Sequence, residues 1–155
     1  MIIDMHSHAW QFPEHFDERF RQQARDVARA DRDLDLSVTY ESYRAGAQTT
    51  DKTVVFGGKA RLSGIWVNDA YVADYVAAHP DRLIGFLSVD PTQDGWQEEM
   101  RHGHRELGLK GIKLLSMYAG LYTNDKLLGP RWQCGGEGRL PVLLRGGAAV
   151  VARGA

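Results

Sequence analysis

The sequence predicts an α/β protein with a parallel sheet of about five strands in a single domain. Short apolar runs typical of buried strands alternate along the chain with longer segments in which apolar residues recur at helical spacing. Glycines or polar residues directly follow the apolar runs, at the strand ends where parallel α/β folds place their functional sites. No linker-like segment divides the chain, so the alternation indicates one continuous set of strand and helix units.

The first third of the chain predicts a strand, a long helix and a short helix. Residues 2–5 form a short apolar run, which indicates the first strand. Residues 12–28 carry apolar side chains at a 3.6-residue period, and Pro13 suits the first turn of the amphipathic helix that this period predicts. Residues 31–37 are a polar link, and residues 41–48 are predicted to form a short helix.

The remainder of the chain repeats the strand and helix pattern. Strands are predicted from apolar and β-branched runs at residues 53–58, 83–91, 110–116 and 140–147. Helices are predicted between these strands at residues 68–82, 94–108 and 124–138. The first of these helices begins at an Asn68 or Asp69 cap and stops at Pro80, and Gly108 is predicted to end the second.

The composition excludes several classes of protein. With 43% apolar and 25% charged residues, the 155-residue chain has the make-up of an ordinary globular domain with one core. A net charge of −1 gives no reason to expect nucleic acid or membrane as a partner. The absence of a leader or of a long apolar span predicts a cytoplasmic protein. The single Cys134 excludes an internal disulfide and a cysteine-type structural zinc site.

The opening "MIIDMHSH" places three candidate site residues at every second position. In a strand, Asp4, His6 and His8 would share one face, and the two imidazoles could both reach one divalent ion. Asp4 would lie one step deeper, as a carboxylate supporting the ligands or as a hydrogen-bond partner in the core. The alternative interpretation is two surface histidines, since six histidines in 155 residues make a chance pair of this spacing common.

A second pair with the same spacing serves as a control. His102 and His104 fall within a predicted helix, where residues two apart point about 200° apart around the axis and cannot bind one ion together. These two side chains are predicted to be solvated. His15 and His79 are predicted to lie at helix ends.

Three segments together resemble the amidohydrolase superfamily. These are "MIIDMHSH", "NDAYVADYVAAHPDRLIGFLSVDP" and "ELGLKGIKLLS", and the similarity extends over about residues 1–128, most specifically at residues 68–91. The branch is the amidohydrolase-related group that includes aminocarboxymuconate-semialdehyde decarboxylase. The resemblance implies a distorted (β/α)₈ TIM barrel and one divalent metal, with zinc as the expected ion. It also implies hydrolysis or non-oxidative decarboxylation of a small carboxylated or cyclic substrate, with His6 and His8 at the first-strand ligand positions.

The resemblance also bears on other residues near the strand ends. At Lys113, in "GIKL", the family often presents a polar side chain to the site, whereas the alternative is a lysine that extends from the strand into solvent. Trp10 could line a pocket for a planar substrate or pack on the first helix. Asp90, followed by proline, is interpreted as part of a turn rather than as a catalytic acid.

The sequence departs from the family pattern in its second half. A (β/α)₈ barrel needs about 250 residues, and this chain supplies about five of the eight units. The family places a histidine after the fifth strand, where this chain has Arg145, whose guanidinium offers no lone pair to a metal. Residues 129–155 are unusually rich in glycine, which suggests a frame-disturbed segment of a truncated N-terminal portion.

Two hypotheses follow from these departures. The first is a metal-dependent amidohydrolase-family enzyme whose present chain is inactive alone, because later-strand catalytic residues are missing. The second is a non-catalytic fragment or pseudogene product that binds metal weakly at most, so that the metal is not retained. In both, an incomplete barrel exposes strand edges through which copies of the chain could associate.

Overall fold

The computed structural model describes residues 1–122, 125–126 and 140–145. Its strands are β1 (Ile3–His8), β2 (Lys52–Phe56), β3 (Lys59–Ala60), β4 (Ile65–Trp66), β5 (Leu83–Val89), β6 (Ile112–Leu114) and β7 (Val142–Leu144). Its helices are α1 (Glu18–Ala28), α2 (Tyr40–Gly46), α3 (Asp69–Ala77) and α4 (Trp96–Arg105), with a 3₁₀ turn at Arg61–Ser63. Five parallel strands form one sheet in the order β1-β2-β5-β6-β7, which confirms the predicted fold class.

The two faces of this sheet bury different side chains. On one face, Leu87, Ile112 and Leu114 belong to a cluster that includes Val72 of α3 and Met100 of α4. A second cluster of strand residues packs on the other face and consists of Val54, Phe56, Phe86, Ile84 and Leu143. Because neighbouring residues of a strand point to opposite sides, the helices cover one face and leave the other for the interior of a curled half-barrel.

The first helix begins six residues later than its apolar period predicts. Asp17 caps α1 by accepting a hydrogen bond from the Phe20 backbone N–H at 3.1 Å. Pro13 therefore precedes the helix instead of occupying its first turn, and His15 Nδ1 accepts the Gln11 backbone N–H in the same turn-rich segment. The apolar period continues into this segment because Phe16 is buried against Ala60 of β3 and Ile65 of β4. The burial of Phe16 therefore results from tertiary packing and not from a helix.

The β3–β4 hairpin has no counterpart among the predicted elements. Each of its strands is two residues long, which is too short to show a period of alternation in the sequence. The hairpin buries Lys59, whose Nζ donates to Asp69 Oδ2 at 2.9 Å and to Glu99 Oε2 at 3.2 Å. Asp69 Oδ1 also accepts the Ser88 backbone N–H, so this ion pair joins the hairpin to α3 and β5.

The first strand is an exposed outer strand of the sheet, as expected of the first strand of an incomplete barrel. It pairs with β2 on one side, and Ile3 and Met5 retain 38% and 47% of their accessible surface. It also extends beyond residues 2–5 to include His6 and His8. Burial of a strand depends on which neighbours cover it, and composition alone does not specify them.

The remaining predicted elements agree closely with the structure. Helices α2, α3 and α4 and strands β2, β5, β6 and β7 lie within or beside the predicted ranges. Gly108 has a φ of +69° just beyond α4, the left-handed conformation that suits the end of a helix. The predicted helix at residues 124–138 lies outside the described residues apart from 125–126, and so does most of the atypical segment 129–155. Among the helices described, none has the length and apolarity needed to cross a membrane.

Replacing Lys59 with methionine tests the role of the buried ion pair. Lys59→Met leaves Asp69 buried without its cation, and we expect the free energy of unfolding to fall by about 3 kcal/mol. Urea denaturation followed by circular dichroism measures this loss. Glu99→Gln is the matched control, since Glu99 is 43% exposed and its removal should cost less than about 1 kcal/mol. Equal losses in the two variants would contradict the assignment.

Candidate metal centre

Two imidazoles meet beside a buried aromatic ring at the carboxyl ends of β1 and β2. The ring centroids of His6 and His8 lie 5.3 Å apart. Both rings stand edge-on to Phe56, with centroid distances of 5.0 Å and 4.8 Å. Phe56 is fully buried at the end of β2, on the sheet face opposite the helices. The structure therefore brings the predicted pair together; metal binding by the pair stays a prediction.

An irregularity in the strand pairing sets the direction of these side chains. Asp4 lies opposite Thr53, whereas Ser7 lies opposite Val55, so β1 uses one more residue than β2 over this stretch. An extra residue reverses the side on which the following side chains of a strand lie. His8 is consequently opposite Phe56 and lies on the same face as that ring.

Asp4 lies on the other side of the sheet, so the prediction that it shares a face with the histidines is wrong. The Tyr43 hydroxyl of α2 donates to Asp4 Oδ2 at 2.6 Å and lies 2.8 Å from Thr53 Oγ1. Asp4 Oδ1 accepts the backbone N–H of His6 at 2.9 Å. The carboxylate thus supports His6 through its backbone and not through its imidazole, because the irregularity in β1 separates the two side chains.

The surroundings of the two imidazoles favour their neutral form. The pKa of His8 is lowered to about 3, chiefly by burial and then by the charges of His6, Lys113 and Arg145. The pKa of His6 is also lowered, again by burial first, while the nearby Asp4 carboxylate opposes the shift. His8 Nδ1 is buried and has no hydrogen-bond partner in the described structure. A neutral imidazole is the form that binds metal ions.

Lys113 lies in the interior of the half-barrel. Its side chain is fully buried, which excludes the alternative that it extends into solvent. Its Nζ lies 4.3 Å from the centroid of the Phe56 ring and has no hydrogen-bond partner among the described residues. Burial, with a smaller contribution from Arg145, lowers the pKa of Lys113 to about 8. Its position opposite Ser88 in the β5–β6 pairing places a second unpartnered polar atom, Ser88 Oγ, nearby.

Arg145 follows β7 directly, at the same edge of the sheet. Its guanidinium lies 5.4 Å from the centroid of the Tyr118 ring. Its positive charge contributes to lowering the pKa of both His6 and His8. The position where the family resemblance implies a histidine therefore adds positive charge to the site, which opposes a bound cation and favours an anion.

Trp10 closes one side of the histidine pair. Its indole stacks on the His8 ring with a centroid distance of 3.8 Å and an angle of 15° between the planes. It also stands edge-on to Phe16, which precedes α1. Of the two roles predicted, packing near the first helix is therefore present, although the partner belongs to the turn before that helix.

Three other residues considered in the sequence analysis, His102, His104 and Asp90, lie in a helix or a turn. His102 and His104 lie on α4, as predicted, and their two-residue spacing there sends the side chains in different directions. His102 is exposed, whereas His104 is half-buried, with Nδ1 3.0 Å from the Leu109 carbonyl oxygen. Asp90 accepts hydrogen bonds from Thr92 and from the Arg61 backbone, as expected of a residue in a turn.

One feature of the site escaped prediction. Phe56, the ring on which the site is built, reads in the sequence as an ordinary core residue of a strand. Ser116 follows β6 and has a buried Oγ without a hydrogen-bond partner among the described residues. Among the described residues, no group of three or more His, Cys, Asp or Glu side chains is arranged to hold a metal ion.

Comparisons with known proteins agree on family and fold. A family model described as amidohydrolase matches residues 3–152. No curated protein matches the sequence. Among solved structures, an uncharacterised TIM-barrel protein from Bordetella bronchiseptica aligns with a TM-score of 0.68 and 17% identity, covering 95% of this chain and 56% of that one.

Two further solved structures are decarboxylases. The 5-carboxyvanillate decarboxylase LigW from Sphingomonas paucimobilis aligns with a TM-score of 0.64 and 18% identity over 91% of this chain and 50% of its own. A 2,6-dihydroxybenzoate decarboxylase complexed with 2,6-dihydroxybenzoate aligns with a TM-score of 0.61 and 18% identity over 98% of this chain and 53% of its own. The chain thus spans about half the length of the solved structures it matches, and at this identity the likeness shows the fold.

Removing the Tyr43 hydroxyl tests the support of the first strand. Tyr43→Phe deletes the donor to Asp4 Oδ2, and we expect a loss of about 1 to 2 kcal/mol in the free energy of unfolding, since the acceptor is charged. Urea denaturation measures the change. Tyr122→Phe removes the same atom from a side chain that is 71% exposed and should leave stability unchanged. A Tyr43→Phe variant as stable as the wild type would show that this hydrogen bond contributes nothing.

Proposed function

The chain belongs to the amidohydrolase family, and on this premise we propose that it carries part of a metal centre for hydrolysis or decarboxylation of a small carboxylated substrate. The observation that supports this proposal most directly is the convergence of His6 and His8 on one face beside Phe56. Members of this superfamily typically use a divalent metal. The fold is shared with decarboxylases of the superfamily.

The two imidazoles suit a divalent cation such as zinc, although the positive charges beside them do not. His6 and His8 supply two imidazoles whose neutral form is favoured. The buried Nδ1 of His8 has no hydrogen-bond partner among the described residues, so a metal or another group could become its partner. Imidazole nitrogen is a preferred zinc ligand. When bound, the ion would supply a Lewis acid that polarises a water molecule, carbonyl or carboxylate. Asp4 would hold the backbone of His6 in place through its 2.9 Å hydrogen bond.

The charges around the histidines favour an anionic substrate. Lys113 Nζ is buried without a hydrogen-bond partner in the described structure, and Arg145 contributes a second positive charge. A carboxylate would satisfy the ammonium group by a charge-assisted hydrogen bond. The Phe56 ring lies beside Lys113 and both histidines, and the Trp10 indole stacks on His8, so the surroundings of these groups are aromatic, which suits an aromatic acid. The names of the two decarboxylase neighbours likewise denote aromatic carboxylic acids.

We further propose that this chain by itself binds metal weakly and does not turn over substrate. A catalytic zinc ordinarily has three protein ligands, and the described residues gather two imidazoles at this point. The charges of Lys113 and Arg145 also reduce the affinity for a bare cation. An added carboxylate would offset this positive charge, so metal and substrate should bind more tightly together than singly.

Zinc titration tests the ligand assignment. We expect the wild-type chain to bind zinc in calorimetry, and the His6→Ala/His8→Ala double variant to bind it at least about tenfold more weakly, because two imidazole ligands are gone. The matched control is His102→Ala/His104→Ala, which removes a pair of the same spacing from α4 and should bind zinc as the wild type does. Equal weakening in both double variants would contradict a site at β1.

Binding of 2,6-dihydroxybenzoate to the zinc-loaded chain tests the role of Lys113. Lys113→Met removes the buried ammonium group and should weaken binding by about tenfold, as expected for the loss of a charged hydrogen bond. Lys110→Met makes the same chemical change at an exposed position and should have no effect. Unchanged binding by Lys113→Met would overturn the carboxylate assignment, and release of carbon dioxide by the zinc-loaded chain would overturn the proposed inactivity.

A further inference from the structure

A cavity of about 330 Å³ lies outside the histidine site, between the segment after β1, the first turn of α2 and the length of α3. Its volume falls in the range of small-molecule pockets. The side chains that carry the argument are Trp10, Tyr40, Glu41, Tyr71, Tyr75 and His79. None of them takes part in the proposed metal centre except Trp10, which lines both.

Five of the ten residues that line this cavity carry aromatic rings. Tyr71 and Tyr75 lie one turn apart on α3, with ring centroids 6.4 Å from each other. Across the cavity, the Tyr40 ring stacks on the His79 imidazole at 3.6 Å, which joins the start of α2 to the end of α3. All of these tyrosines are half-buried, and all of them line the cavity. Aromatic faces carry negative electrostatic potential and attract cations.

The charge of the lining has the same sign. Glu41 is the carboxylate in the lining, and the residues that line the cavity, all in the described part of the chain, include no lysine or arginine. Burial raises the pKa of Tyr75 to about 12, and the neighbouring oxygens of Tyr71, Glu41 and Tyr40 add to the shift. An added negative charge is therefore unfavourable here, in contrast to the histidine site beside Lys113 and Arg145.

We propose that this cavity binds a small organic cation, a protonated or quaternary amine, held between the rings of Tyr71, Tyr75 and Trp10 and attracted by Glu41. Cation–π contacts with two or three rings and one carboxylate recur wherever proteins bind quaternary ammonium groups. The site does not depend on metal binding by His6 and His8. Trp10 lines this cavity and also stacks on His8, so the two sites share one side chain.

Choline and its neutral isostere 3,3-dimethyl-1-butanol are the probes that test this proposal. The two molecules have nearly the same shape, and only choline carries a positive charge. We expect choline to bind the wild-type chain in calorimetry and the alcohol to bind at least tenfold more weakly. Equal binding of both would show an apolar pocket without preference for cations, and no binding of choline would show no cation site. Either result overturns the proposal.

Variants locate the binding to the cavity. Tyr71→Leu/Tyr75→Leu should abolish choline binding, and Glu41→Gln should weaken it several-fold. Glu41 is exposed, so we expect the Glu41→Gln variant to fold as the wild type does. Tyr122→Leu removes an aromatic ring outside the cavity and should bind choline as the wild type does. Circular dichroism verifies folding of each variant. Wild-type binding by Glu41→Gln and by a folded Tyr71→Leu/Tyr75→Leu chain would overturn the assignment.

Discussion

The pairing between β1 and β2 is the constraint on which the candidate metal centre depends. Strand β1 uses one more residue than β2 between Asp4 and Ser7, and this irregularity turns the following side chains to the other face. Without it, the carboxylate and both imidazoles would lie together, and the acid would lie beside the ligands. With it, Asp4 faces α2 and its Tyr43 hydroxyl, and the imidazoles face the interior beside Phe56.

The two sites that share Trp10 are surrounded by charges of opposite sign. In the interior, Lys113 and Arg145 place positive charge beside neutral histidines, an arrangement that suits a metal only together with an anion. In the aromatic cavity, Glu41 and the tyrosines create the opposite preference. A third set of charges, the buried Lys59–Asp69 pair, is satisfied within the fold and connects the hairpin to α3. These two charges serve the fold and not a ligand, because each has a partner at hydrogen-bond distance.

The described sheet is half of the barrel seen in related structures. Strands β1 and β7 form its outer strands, and the matched barrels are about twice as long as this chain. The chain contains His6 and His8 of β1 and Lys113 of β6, which is the fourth strand of the main sheet. The activity of a whole barrel is a property of both halves, because catalytic groups in such folds come from the ends of several strands.

The sequence by itself determined the fold class, the order of the main strands and helices, and the family. Apolar periodicity and turn residues are local signals, and they sufficed for α2, α3, α4 and four of the five sheet strands. Only the tertiary structure decided the start of α1, the short β3–β4 hairpin and the face on which Asp4 lies. It also decided that Lys113 is buried beside Phe56. Each of these depends on contacts between residues far apart in the chain, which local patterns do not encode.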